Sequence, residues 1–275
     1  MVIAFGHVNP VPFFNAIPRR SACLFATALF FALNVCCLAQ MGDEQPNPAV
    51  KFPSIKEVSP GIFQVGGVSL NKETKTATFP GTINMTRGLI EYLLVQEGGK
   101  THESLLATKV EPYHLHVAML LLGAKVAKPD GEKAPPDTID AQYLKTAPKP
   151  KGDNVIIKVR WKDGDKDVEM NVEDLIQDDA TKSPMSRGPW VYNGSMLSGG
   201  MFLAQEERDF AALVIDPAAL INNTRPGSDN DQIWEIRANI VPKENTPVEI
   251  SIQLQSGTAA PASSPAPVAS ATPKP

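Results

Sequence analysis

Three of the four histidines, His102, His114 and His116, fall within one stretch of fifteen residues, interleaved with Glu103 and Glu111. Imidazole and carboxylate are the usual ligands of a metal site that uses no thiolate, and the same pairing supplies a general acid and a general base. Spacing restricts the arrangement. A helix starting at Pro112 puts His114 and His116 about 200° apart around its axis, too far to share one ion. On a strand both would lie on one face, but the following Ala118-Met119-Leu120-Leu121-Leu122 favours helix. The surviving candidate is a divalent-metal or acid–base site made of His102, Glu103 and one of His114 and His116, not all four together. The structural alternative has His102 and Glu103 hydrogen-bonded at a strand–helix junction, with His114 capping or packing.

Other chemical signals are weaker. Asp163-Gly164-Asp165-Lys166-Asp167 resembles a calcium loop with Asp174 at its twelfth position, but Val168 stands at the sixth, where the sharp turn needs glycine; a solvated hairpin turn fits better. Ser195 lies in Asn193-Gly194-Ser195-Met196, which is not the elbow of a serine hydrolase. No phosphate loop or dinucleotide fingerprint appears. Trp161, Trp190, Trp234, Tyr92, Tyr113 and Tyr192 could line a carbohydrate- or peptide-binding face, although each sits in a pattern where a core position is the default. Sequons at Asn84, Asn193 and Asn222 are assigned no role.

The elements that must position these residues read mainly as strands. Leu89 to Val95 is apolar on both faces apart from Glu91, and Phe210 to Ile215 reads as a buried central strand. Val155, Ile157, Val159 and Trp161 alternate with polar residues, turn at Asp163-Gly164-Asp165 and return through Val168–Val172 as a hairpin. Ser198-Gly199-Gly200 turns between strands over Trp190–Met196 and Met201–Gln205. Val248, Ile250, Ile252 and Leu254 alternate strictly with polar residues. The one convincing helix spans about 112–123, with proline in its first turn and Gly123 where it stops. Short helical turns are expected at Val172–Ile176 and Pro217–Ile221. The expected fold class is α+β: mostly antiparallel β-sheet with one main helix and short helical turns.

The ends of the chain have a different composition. Arg19 and Arg20 precede a nearly continuous apolar run, Ala22–Leu38, and small residues at Cys37 and Ala39 suit a signal peptidase. The domain reading is therefore a signal peptide over 1–39, a polar Pro-containing linker over 40–52, one α+β domain over 53–255, and a disordered Pro/Ala/Ser-rich tail over 256–275. A Pro-, Lys- and Asp-rich stretch from Lys125 to Asp153 reads as a long surface loop. Cleavage would remove Cys23, Cys36 and Cys37, all the cysteines, leaving no disulfide, thiolate zinc site or iron–sulfur cluster and no stable transmembrane span. The expected location is periplasmic, extracellular or cell-surface. A formal charge of −4 with no basic patch argues against nucleic acid as partner.

Several blocks together resemble the YdjY-domain family of exported bacterial proteins. They are Gly88 to Val95; Lys100-Thr101-His102-Glu103-Ser104; Glu111-Pro112-Tyr113-His114-Leu115-His116; Gly188 to Ser195; and Ala211 to Leu220. The likeness covers roughly Pro53 to Leu254. It implies an exported or envelope-associated domain and brings no settled activity. A ferredoxin-like description attached to the family does not suit a mature chain without cysteine. Two functions follow: a non-catalytic binding or structural module, its partner an envelope component or small ligand, or a metal-binding protein or metal-dependent enzyme centred on the histidines.

Overall fold

The computed structural model describes residues 53–126 and 149–255; the leader, the linker, the tail and most of the Lys125–Asp153 stretch lie outside the described residues. Among the described residues sixteen strands and two α-helices follow in order. The first half contains β1 (Ile55–Ser59), β2 (Ile62–Val65), β3 (Val68–Asn71), β4 (Thr76–Ile83), β5 (Tyr92–Gln96), β6 (Ser104–Thr108) and α1 (Pro112–Leu121). The second contains β7 (Asp153–Asp163), β8 (Lys166–Asn171), β9 (Ile176–Asp178), β10 (Trp190–Tyr192), β11 (Leu197–Ser198), β12 (Met201–Phe202), α2 (Leu203–Glu207), β13 (Asp209–Ala212), β14 (Ile221–Asn222), β15 (Trp234–Ile236) and β16 (Pro247–Leu254). Short 3-10 turns cover Thr101–Glu103 and Val172–Leu175.

Eight of these strands close on themselves. The order β4-β16-β7-β10-β14-β13-β5-β6 returns to β4 where Thr82 pairs with Ala107 and Ile83 with Leu106. The expected α+β class is therefore wrong: the described residues form a mostly-β closed barrel with only 12% helix. Alternation of apolar and polar residues reveals that a strand has one buried face, but an open sheet and a closed ring require the same alternation. Closure depends on two residues of β4 pairing with β6, a long-range contact without local signature.

An eight-stranded barrel has an interior just wide enough for side chains to fill. Here Val248, Ile250, Ile252 and Leu254 of β16 and Val155, Ile157, Val159 and Trp161 of β7 all point in and are buried. Phe79 of β4 stacks on Phe210 of β13 with ring centroids 5.8 Å apart, joining strands that are not neighbours in the ring. The β1–β2–β3 meander and β8 extend outward as flaps. β4 pairs with β3 through Thr76–Thr78 and with β6 only from Thr82, so Pro80 sits where the sheet forks. Its carbonyl accepts the Thr108 hydroxyl on that side, where the missing N–H costs no ladder bond.

The helix α1 begins and ends as its sequence specifies. Pro112 occupies its first turn, and Pro112, Leu115, Ala118 and Met119 are buried. Gly123, at φ +91°, donates to the Leu120 carbonyl while Ala124 donates to that of Met119, both at 3.0 Å, a Schellman stop that the left-handed glycine makes possible.

Two connections depart from expectation. The Phe210–Ile215 strand ends at Ala212, and Pro217–Ile221 is not helical. Instead 213–220 runs back so that β14 lies parallel to β13; likewise 97–103 runs back so that β6 lies parallel to β5. Both returns are shorter than the dozen or so residues a helical crossover needs, so each is drawn directly across the outside of the barrel. Gly98 (φ +81°) and Gly99 permit the 97–103 return: a Cβ at Gly99 would stand 3.0 Å from Cβ of Arg208.

Candidate functional site

The two taut returns meet over β5 and β13. Tyr92 (β5) donates its hydroxyl to Asp216 Oδ2 at 2.8 Å, and Lys100, from the 97–103 return, donates to Tyr92 Oη at 3.0 Å and to Asp209 Oδ2 at 2.5 Å. Lys100 Nζ also lies 3.8 Å from Asp216 and 3.5 Å from the exposed Glu207, and 4.7 Å from the centroid of the Tyr92 ring. Beneath it a small apolar cluster of Tyr92, Val95, Ala212 and Ala219 is separate from the main core. Asp216 is held in place: its Oδ1 accepts the Ala218 N–H, its backbone N–H donates to Asn222 Oδ1, and Asn222 Nδ2 donates back to its carbonyl.

Asp209 is completely buried, and its Oδ1 has no hydrogen-bond partner. Burial pushes its carboxyl up to about 7, against the pull of Lys100 and with the push of Asp216. Burial also raises the Tyr92 phenol, and the Asp216 and Asp209 charges raise it further. For Lys100 burial works against the charge, but Asp209, Asp216 and Glu207 outweigh it and leave the ammonium above its ordinary value. One cation thus faces three carboxyl groups.

The histidines of the sequence reading are placed apart. His102 is 79% exposed in the turn before β6, 3.6 Å from Glu103. His114 lies 3.9 Å from the Glu111 carboxylate, its ring against Gly66. His116 points elsewhere: Tyr192 Oη is 2.8 Å from its Nδ1, and Phe202 tilts against its ring at 4.9 Å. Burial lowers His116 to about 4, so it is neutral at pH 7. The three histidines thus have separate partners, and among the described residues no group of three or more His, Cys, Asp or Glu is placed to hold a metal ion.

The remaining motifs resolve into structure. Asp163-Gly164-Asp165 turns the β7–β8 hairpin. The Ser195 hydroxyl donates to the Ala218 carbonyl and accepts the Ala204 N–H. Asn193 donates to the carbonyls of Pro217 and Ala219, tying down the 213–220 return. Trp190, Trp234, Tyr92 and Tyr192 are buried.

Trp161, also buried, is among the residues that border an open groove of about 590 Å³ on the outside of the barrel. The groove crosses β4, β16 and β7 at the sheet fork. Pro80 and Pro247, both exposed, give it apolar surface, while Phe79, Trp161 and Val248 border it with side chains buried in the barrel; Gln64, Ser69 and Thr78 give it uncharged polar groups. Its charged members pair with one another, Arg160 with Glu249 and Lys162 with Asp167.

Sequence reasoning missed Lys100, Asp209 and Asp216. A signal existed: Asp209 and Asp216 bracket the apolar run Phe210 to Ile215, where an ionisable group can be buried only with a partner. The sequence could not name that partner, because Lys100 lies 109 residues from Asp209.

A family model described as the YdjY domain matches residues 68–253. No curated protein and no solved structure matches.

Proposed function

This chain belongs to the YdjY domain family, and on that premise we propose that it is an exported, non-catalytic binding module of the cell envelope that takes an uncharged glycan segment into the groove across β4, β16 and β7. One observation carries the reading: an open groove of about 590 Å³ that exposes Pro80 and Pro247 beside the hydroxyl and amide groups of Ser69, Thr78 and Gln64 and whose charges are neutralised in pairs. A sugar ring offers the matching chemistry, with an apolar face and a polar, uncharged edge. A charged polymer would have to break Arg160–Glu249 or Lys162–Asp167 to find a partner. Export is supported by the apolar leader and by the lack of cysteine in the described domain.

The test is calorimetric titration of the purified exported protein with a tetramer of N-acetylglucosamine. Saturable binding that disappears in Ser69→Trp, which fills the groove from β3, supports the reading. Absence of binding, or binding untouched by Ser69→Trp, rejects it. N-terminal sequencing of the recovered protein checks export separately: a start near residue 40 agrees, and an intact leader in the cytosol does not.

A further inference from the structure

We propose that Lys100 and Asp209 condense into an intramolecular isopeptide bond, with Asp216 relaying the proton. The reaction needs an amine held against a carboxyl, a second acid to move protons, and shielding from water. The first two are present, and the acids are shielded, Asp209 wholly and Asp216 to within 10% exposure, while the Lys100 side chain is 29% exposed. Lys100 Nζ stands 2.5 Å from Asp209 Oδ2, already in contact with the group it attacks. Asp216 Oδ2 is 3.8 Å from the same nitrogen and is aimed by the Tyr92 hydroxyl. The Tyr92 ring, Val95, Ala212 and Ala219 form the apolar bed beneath.

The chemistry balances without cofactor or oxidant. The ammonium of Lys100 passes one proton to the carboxylates, through Asp216 to Asp209. The free amine attacks Asp209 Cγ, and a nitrogen–carbon bond forms. One Cγ–O bond then breaks, and that oxygen leaves as water carrying one proton from the acid and one from the amine. An ammonium and a carboxylate become an amide and water, and Asp216 is returned to its starting form. Burial favours this direction, because an amide replaces a desolvated charge pair and the unpartnered Asp209 Oδ1 no longer bears charge.

The bond would clamp the 97–103 return to the start of β13. In a described domain with no cysteine, it does what a disulfide does: it closes a long loop in the unfolded chain.

Intact-mass spectrometry of the purified, denatured protein tests this. The expected mass is one water, about 18 Da, below that of the same chain without the link. Tryptic digestion should leave Lys100 uncut and yield a branched peptide containing Lys100 and Asp209. Lys100→Arg and Asp209→Ala should each return the full mass, and Asp216→Asn should leave condensation incomplete. A wild-type protein at full mass overturns the proposal whatever the variants do. So does a deficit that persists in Lys100→Arg. An Asp216→Asn protein that condenses as completely as wild type removes Asp216 from the reaction.

Discussion

Arg225 Nη2 lies 2.7 Å from Glu173 Oε1, with both side chains almost wholly withdrawn from solvent. Trp190 donates its indole N–H to the same oxygen at 3.1 Å, and the guanidinium lies 5.2 Å from the centroid of the Trp190 ring. Arg225 also donates to the carbonyls of Ser186 and Gly188. Arg225 therefore ties the Val172–Leu175 turn and the irregular segment before β10 to the segment after β14.

Removing one partner leaves the other charge buried and uncompensated. Glu173→Gln or Arg225→Gln should each lower unfolding free energy by about 3–5 kcal/mol, and the double variant should lose less than the sum. Urea denaturation of the three proteins measures this. Additive losses would show that the two side chains act independently.

His116 gives the barrel a pH dependence. Its folded value, about 4, lies below the unfolded 6.5, so the unfolded chain binds the extra proton more readily. The stability it contributes is complete above pH 6.5 and is lost as pH falls through 4, by up to about 3 kcal/mol. His116→Gln, which can still hydrogen-bond Tyr192, should flatten this part of the stability curve between pH 7 and 4. An unchanged curve would show that another group is responsible.

Gly152 permits β7 to start against β10. A Cβ there would stand 1.9 Å from the Tyr192 carbonyl oxygen, next to the pairing of Tyr192 with Asp153. Gly152→Ala should therefore cost about 2–3 kcal/mol by forcing the two backbones apart. The corresponding fall in Tm is readable by calorimetry; Gly123→Ala serves as a comparison in which added bulk meets open space and only the left-handed backbone is penalised.

His102 is surface-exposed, with Glu103 as its neighbour. His102→Ala should change stability by less than about 0.5 kcal/mol and leave the elemental composition of the purified protein unaltered. A stoichiometric metal lost with His102 would restore a metal centre at this turn.

Much of the secondary structure could be read locally because its causes are local. Pro112 and Gly123 bound the helix, Gly164 turns the β7–β8 hairpin, and alternation from Val248 to Leu254 marks β16 and its inward face. The histidine cluster was also a local pattern, but proximity along the chain did not become proximity of ring nitrogens. His114 and His116 leave α1 in different directions, and His102 stays at the surface.

By itself the sequence determined the family, the apolar run over 22–38, the lack of cysteine in the folded part and the strands' buried faces, because each is a property of composition or of neighbours a few residues apart. Tertiary structure alone decided that the sheet closes, through Thr82 with Ala107 and Ile83 with Leu106. It also decided that Lys100 meets Asp209 and Asp216, and that Arg225 meets Glu173. Closing a ring and burying a charge both depend on contacts between residues far apart in the chain. Their free energy comes from pairing and desolvation in space, which no periodicity of residue types records.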